Sequence, residues 1–175
     1  LNGMFAFAIL NENTGDLFAA RDRLGIKPFY YYDNNRGFAF ASEIKSILEC
    51  SSYNKEPDYD AILTPVHFQI TPHTGFKSIS KLPAGHYLHK KNGELSIGKY
   101  WDIEPHDAGL SDNEIFEELD YLLNDSIRLQ MISDVPVGSL LSGGLDSSII
   151  SVLMQKKISS KLSTFTIKFK PEDLK

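Results

Sequence analysis

A single cysteine, Cys50, stands in 175 residues. One thiol cannot build an internal disulfide framework or a multi-cysteine metal site, and it fits a reducing compartment, so a cytoplasmic setting is expected. Long apolar runs are missing as well. The nearest approach, residues 4–10, is too short to cross a bilayer and lacks the basic leader of a signal peptide, so it reads as a strand. Positive charge is scarce, with 18 Lys and Arg against 23 Asp and Glu and a formal net charge of -5. No basic run is dense enough to cover a phosphate backbone or an anionic bilayer, so neither nucleic acid nor a membrane is an expected partner. His67, His73, His86, His89 and His106 lack tight spacing with carboxylates, and no metal is assigned to them. What remains, 42% hydrophobic and 23% charged, is the make-up of an ordinary globular protein. The chain opens at Leu1 and stops at Lys175, each beside a strand-like run, and both ends are expected to be cuts in a longer polypeptide.

The first hundred residues carry hairpin punctuation. Apolar runs at 4–10 and 17–20 flank Asn11, Glu12, Asn13, Thr14, Gly15 and Asp16, which is turn chemistry. Runs at 29–32 and 37–41 flank a second turn at 33–36, and Ile44, Ile47 and Leu48 set a short helix over 42–49. Pro57, Pro65, Pro72 and Pro83 break any long element between 51 and 83. Asn92 and Gly93, between strands at 86–90 and 94–97, are the strongest hairpin signal in the chain. The pattern then changes. Ser111 and Glu114 form a capping-box pair that opens an amphipathic helix over 111–131, with Ile115, Leu119, Leu122 and Ile127 on one face. A strand at 137–141, a helix at 146–157 and a strand at 163–169 follow, which is one right-handed parallel crossover unit. The switch puts a first domain at 1–100, a linker at 101–110 and a second domain at 111–175.

The densest chemistry lies in Ser142, Gly143, Gly144, Leu145, Asp146, Ser147 and Ser148, where the predicted strand meets the predicted helix. In an open parallel sheet that junction is where ligands bind. Glycines there let the backbone approach a phosphate with no β-carbon in the way, and amides at a helix start favour an anion. The serine hydroxyls add donors. A carboxylate would repel a bare phosphate, so Asp146 reads as a ligand for the Mg2+ that accompanies ATP. A Walker loop needs a lysine before its Ser or Thr, and its absence argues against a kinase-like or GTPase-like loop. The competing reading is a tight turn whose helix is capped by Asp146 or Ser147.

The run Ser142-Gly143-Gly144-Leu145-Asp146-Ser147 is similar to the pyrophosphate loop of enzymes that cleave ATP between its α and β phosphates. The block Ala20-Arg21-Asp22-Arg23-Leu24-Gly25-Ile26-Lys27-Pro28, with others at 1–7, 41–45, 81–87 and 134–138, resembles consecutive blocks of the glutamine-hydrolysing asparagine synthetases. The resemblance covers nearly the whole chain in order. It implies the C-terminal part of an α+β N-terminal-nucleophile-type sandwich, followed by the N-terminal part of an α/β parallel-sheet pyrophosphate-loop domain. It implies two activities: hydrolysis of glutamine to ammonia, and ATP-dependent adenylation of aspartate followed by amidation. ATP and Mg2+ are the implied cofactors, and a homodimer the implied assembly. Carried over by residue, phosphate and Mg2+ roles fall on Ser142, Gly143, Gly144, Leu145, Asp146, Ser147 and Ser148. Leu141 and Ile167 match positions that hold the adenosine, and Met4 one that lines an ammonia passage. For these three, ordinary core packing is the competing reading.

The family's glutaminase nucleophile is an N-terminal cysteine, and Leu1 is not one. Cys50 is internal and reads as a partly buried structural thiol, so no glutaminase catalytic residue is assigned and the chain alone is expected not to make asparagine. Arg21, Asp22, Arg23, Lys27 and Glu43 read as structural, with Glu43 expected to pair with Arg21 or Arg23. Ser139-Leu140, where many relatives carry a small residue before an aromatic or aliphatic one, is a mild departure. Two alternatives stand beside this reading: a sister synthetase acting on another acid, and a non-catalytic nucleotide-binding protein. One crossover unit cannot cover both faces of a parallel sheet, so the isolated chain is expected to be poorly soluble or molten.

Overall fold

A computed structural model describes residues 1–35, 37–50, 53–63, 71–105 and 109–168. Arg36, Pro65, His67, His106 and Phe169, which figured in the reading above, lie outside the described residues. The chain forms two compact units, Leu1–Pro105 and His106–Lys175.

The first unit contains β1 (Ala6–Leu10), β2 (Leu17–Arg21), β3 (Tyr30–Asn34), β4 (Gly37–Ala41), α1 (Ile44–Leu48), α2 (Tyr59–Leu63), β5 (Ile79–Lys81), β6 (His86–Lys91) and β7 (Glu94–Lys99). One antiparallel sheet has the order β1-β2-β6-β7 and a second the order β4-β3-β5. The turn chemistry does its expected work. Asn11 Oδ1 accepts the Asn13 amide at 3.0 Å, and Gly15 turns the chain at a φ of 74°. Asn92 and Gly93 both take positive φ, 51° and 83°, as the two-residue hairpin between β6 and β7 demands.

Alternation along the strands sorts side chains into two cores. Leu17 and Ala19 of β2 and Leu88 of β6 pack against Phe29 and against Tyr31 of β3, sheet on sheet. The other face of β3 presents Tyr32, which joins Ile79 of β5, Ile47 of α1 and Tyr53. Cys50 is a partly buried hydrophobe at the rim of this second core. The unit is thus layered as sheet, sheet and short helix. Several boundaries of this unit differ from expectation by one or two residues: β1 starts at Ala6 rather than at 4, α1 covers Ile44–Leu48 rather than 42–49, and β7 runs to Lys99 rather than 97. β3 runs to Asn34 rather than stopping at 32, because Asn34 still pairs with Gly37. β5 went unread, since three residues among prolines show no period, and its partner β3 alone makes it a strand.

The charged cluster after β2 is structural in a way its charges did not suggest. Arg21 is buried and donates Nε to the Lys27 carbonyl at 2.7 Å, Nη1 to the Leu82 carbonyl at 2.6 Å and Nη2 to the Gly25 carbonyl. Asp22, 1% exposed, accepts the Ile26 and Lys27 amides on its two oxygens at 2.9 Å each. Burial alone would raise the Asp22 carboxyl pKa, but amide hydrogen bonds led by those from Lys27 and Ile26 outweigh it and hold the group below its usual value. Arg23 leans over Trp101, 5.8 Å from the ring centroid. Glu43 reaches neither arginine: it is exposed and pairs with Lys45, its neighbour two residues on. The expected Glu43 ion pair is therefore wrong. Arg21 finds its acceptors in three loop carbonyls instead.

Gly85 closes this hub. Its amide donates to the Asp22 carbonyl at 3.0 Å, and its carbonyl accepts the Tyr100 and Trp101 amides at 2.8 and 3.2 Å. Its φ is 66°, and a β-carbon there would lie 2.5 Å from the Trp101 carbonyl oxygen. Gly85→Ala is expected to cost about 2–4 kcal/mol, the sum of left-handed strain and a backbone clash, read as a lowered urea midpoint.

The second unit contains α3 (Asp112–Gln130), β8 (Gly138–Leu140), α4 (Leu145–Gln155) and β9 (Ser163–Phe165). α3 starts at the expected capping box, with the Glu114 carboxylate reaching back to the Ser111 amide at 2.8 Å. β8 and β9 are parallel, with Ser139 opposite Thr164. A core of Ile127, Leu153 and Met154 joins α3 to α4. The expected apolar face of α3 is buried only at its C-terminal end. Ile115, Leu119 and Leu122 are exposed because Leu123, Ile127 and Met131 are the α3-side residues that meet this core. Among the described residues no helix is long and apolar enough to cross a membrane.

Candidate functional site

β8 delivers the chain to the loop and α4 carries it away. The loop entrance is tied down by β9: the Leu141 amide donates to the Phe165 carbonyl at 2.9 Å, and Thr166 Oγ1 donates to the Leu141 carbonyl at 2.6 Å. Gly143 then takes a φ of 85°, with nothing within 4 Å of where a β-carbon would sit. Glycine is needed there for the backbone conformation. The open space beside it is what a ligand approaching the backbone would require.

Gly144 is the N-cap of α4, and no side chain caps the helix. The reading in which Asp146 or Ser147 caps a simple turn is thus not what the structure holds. First-turn amides have no intrahelical partner. Without a capping side chain they remain open to an anion, favoured there by the helix dipole.

The hydroxyls are gathered at the same spot. Ser142 Oγ and Ser147 Oγ lie 3.0 Å apart, and Ser147 Oγ also accepts the Ser142 amide at 3.3 Å. Ser147 and Ser148 both donate to the Gly144 carbonyl, at 3.2 and 2.7 Å. Hydroxyls rotate freely, so each of these donors can turn from a loop carbonyl to a phosphate oxygen. Asp146 stands exposed in the first turn of α4, and Leu145 beside it is exposed as well.

Among the described residues, no group of three or more His, Cys, Asp or Glu is placed to hold a metal ion. One carboxylate beside an anion site suits Mg2+ that arrives on the phosphates of a nucleotide, since Mg2+ commonly takes one or two carboxylates and completes its shell with phosphate and water.

The remaining candidates are spread out. Leu141 is half-buried and its amide is already engaged, leaving its carbonyl's second lone pair. Ile167 lies two residues past β9 and is 79% exposed, and Met4, before β1 in the first unit, is 47% exposed. Core packing therefore does not explain Ile167 or Met4 in the described chain. Thr166, which anchors the loop entrance through Leu141, was not singled out from sequence; a lone threonine at a strand end carries no pattern.

Comparison with known proteins agrees with both units. A glutamine amidotransferase domain family matches residues 1–101, and an asparagine synthase family matches residues 118–175. The chain is 38% identical to asparagine synthetase (glutamine-hydrolyzing) 3 of Bacillus subtilis, over 99% of this chain and 29% of that protein. It is 35% identical to asparagine synthetase (glutamine-hydrolyzing) 1 of the same organism, over 98% of this chain and 27% of that protein. It is also 35% identical to the amidase chry2 of Gibberella zeae, over 90% of this chain and 24% of that protein. The chain thus spans between 24% and 34% of the length of such relatives. With its first unit matched along its length and its second matched in order behind it, the chain belongs to the glutamine amidotransferase domain family, in the form that continues into an asparagine synthase domain.

Proposed function

We propose that this chain is part of a glutamine-hydrolysing asparagine synthetase working in the cytoplasm, and that the loop after β8 is its ATP site. The observation that supports this most is the start of α4: an N-terminus without a side-chain cap, entered through Gly143 at positive φ, with three serine hydroxyls beside it. That arrangement supports reading the loop as an anion cradle that does without the lysine of a Walker loop.

In this reading the amides after Gly143 and the hydroxyls of Ser142, Ser147 and Ser148 hold the β and γ phosphates of ATP. Those two phosphates leave together as pyrophosphate. The aspartate side-chain carboxylate attacks the α phosphorus, forming a carboxyl–phosphate bond as the α–β bridge breaks. Ammonia, released when water hydrolyses the glutamine amide to glutamate, then attacks the activated carbonyl and expels AMP, giving asparagine. Asp146 would hold Mg2+, which when bound offsets charge on the leaving phosphates. Leu141 and Ile167 border the adenosine, and Met4 lines the ammonia passage. No residue of this chain is given the glutaminase chemistry: Cys50 is internal and lacks the free α-amine of an N-terminal nucleophile. A homodimer is the assembly that goes with this reading.

The Gibberella zeae and Bacillus subtilis relatives carry different names, amidase and asparagine synthetase, which makes the acid the open variable. The full reading frame encoding this chain, incubated with Mg2+, ATP, glutamine and a set of candidate acids, is expected to form AMP, pyrophosphate and asparagine with aspartate alone. AMP formed only with a different acid would move the protein to a sister synthetase, and no AMP with any acid would sink the ATP reading.

A further inference from the structure

Ser139 on β8 and Ser151 on α4 bring their hydroxyls 3.0 Å apart, in residues only 6% and 8% exposed. A hydroxyl withdrawn from water needs a partner, and the direction of this contact follows from counting protons. Ser151 Oγ donates to the Ser147 carbonyl at 2.7 Å. A hydroxyl has one proton, so Ser151 can only accept from Ser139. The other acceptor open to Ser139, the Leu140 carbonyl, is at 3.5 Å, the edge of a useful hydrogen bond. A two-step relay results, from Ser139 to Ser151 and from Ser151 to the peptide carbonyl of Ser147, each bond polarising the next. It ends at the residue whose own side chain meets Ser142 across the loop. A serine that bonds back to the carbonyl four residues earlier also tends to bend its helix. The relay thus links the strand entering the loop to the first turn of the helix leaving it.

We propose that the Ser139–Ser151 relay is a positioning device for the phosphate-binding loop, fixing the first turn of α4 against β8 so that the amides and hydroxyls converge on one anion. It rests on the ATP reading above, and neither serine is a catalytic residue, since both act through Ser147.

The asymmetry of the relay gives the test, run in the full reading frame by following AMP formation with the acid that supports it. Ser151→Ala leaves the Ser139 hydroxyl only the distant Leu140 carbonyl and removes the side-chain bond to the Ser147 carbonyl, and it is expected to raise the KM for ATP about 5–10-fold, against about 2-fold for Ser139→Ala, which strands nothing. The double variant is expected to be no worse than Ser151→Ala, and Ser151→Thr, which keeps a hydroxyl able to make the same back-bond, to stay within about 2-fold of the unmutated protein. The KM for glutamine is expected to hold throughout. A KM for ATP unmoved in folded Ser151→Ala, equal and additive effects of the two alanines, or a KM for glutamine rising in step would each overturn the inference. If Ser151→Ala does not fold, Ser139→Ala decides, and an unmoved KM for ATP there overturns it. Absence of AMP in the unmutated protein marks a different failure, that of the ATP reading, and takes the inference with it.

Discussion

Replacing Arg21 by alanine is expected to lower the stability of the amidotransferase unit by about 3–5 kcal/mol, among the largest losses a single side chain can cause. The guanidinium is buried and is the donor for three loop carbonyls, those of Lys27, Leu82 and Gly25. Alanine would leave all three without that donor, while the Asp22 carboxylate would keep the Ile26 and Lys27 amides that hold it. Arg21→Lys is expected to recover little, since one ammonium cannot span three diverging acceptors. A domain of this size has about 5–15 kcal/mol in all, so the variant should unfold at a urea concentration well below the unmutated protein, or fail to accumulate. A midpoint shift corresponding to under about 1 kcal/mol would mean the three carbonyls are as well served by water, and the hub would lose its structural role.

The second large effect falls on chemistry rather than stability. Asp146→Asn keeps the size of the side chain and removes its charge, and AMP formation is expected to fall by about 100-fold or more, roughly 3 kcal/mol of lost charge stabilisation. Asp146 is exposed and outside the cores described above, so the urea midpoint should stay where it was. Extra Mg2+ should recover part of the rate if the carboxylate serves to hold the ion on the nucleotide. A variant that forms AMP at the normal rate would remove Asp146 from the site, whatever the serines and glycines do.

Much of the architecture was readable because it is local. Asn92 and Gly93 announced their hairpin, and Ser111 with Glu114 announced the start of α3, since each depends on residues a few positions apart. The turn after β8 was readable for the same reason: Gly143 at positive φ and the serines that bond across the loop lie within seven contiguous residues. What escaped depends on partners far away in the chain. β5 exists because β3 offers it an edge, and no period within Ile79, Ser80 and Lys81 says so. The charges at 21–23 and 43 suggested ion pairs by composition, whereas burial turned Arg21 and Asp22 toward backbone groups. The exposed face of α3 failed for a related reason, because periodicity reports which side of a helix is apolar and not which turns of it find cover. Ser139 drew notice only as part of a mild departure from relatives and Ser151 drew none; only a strand and a helix brought side by side make them partners.

The hub around Arg21 also sets a timetable for biosynthesis. Its bonds join Arg21 to Leu82 and Tyr100 to Arg21, separations of 61 and 79 residues. The hairpins of β1 with β2 and β3 with β4 can form as soon as they leave the ribosome, but the sheet that buries Leu17 and Ala19 is incomplete until β6 has emerged. At about 5–20 residues per second, the interval from Arg21 to Tyr100 lasts roughly 4 to 16 seconds. Until β6 arrives, the edge of β2 opposite β1 has no strand to pair with, and the Arg21 carbonyl waits longer still for the Tyr100 hydroxyl, so the unit is completed by residues near its own C-terminal end.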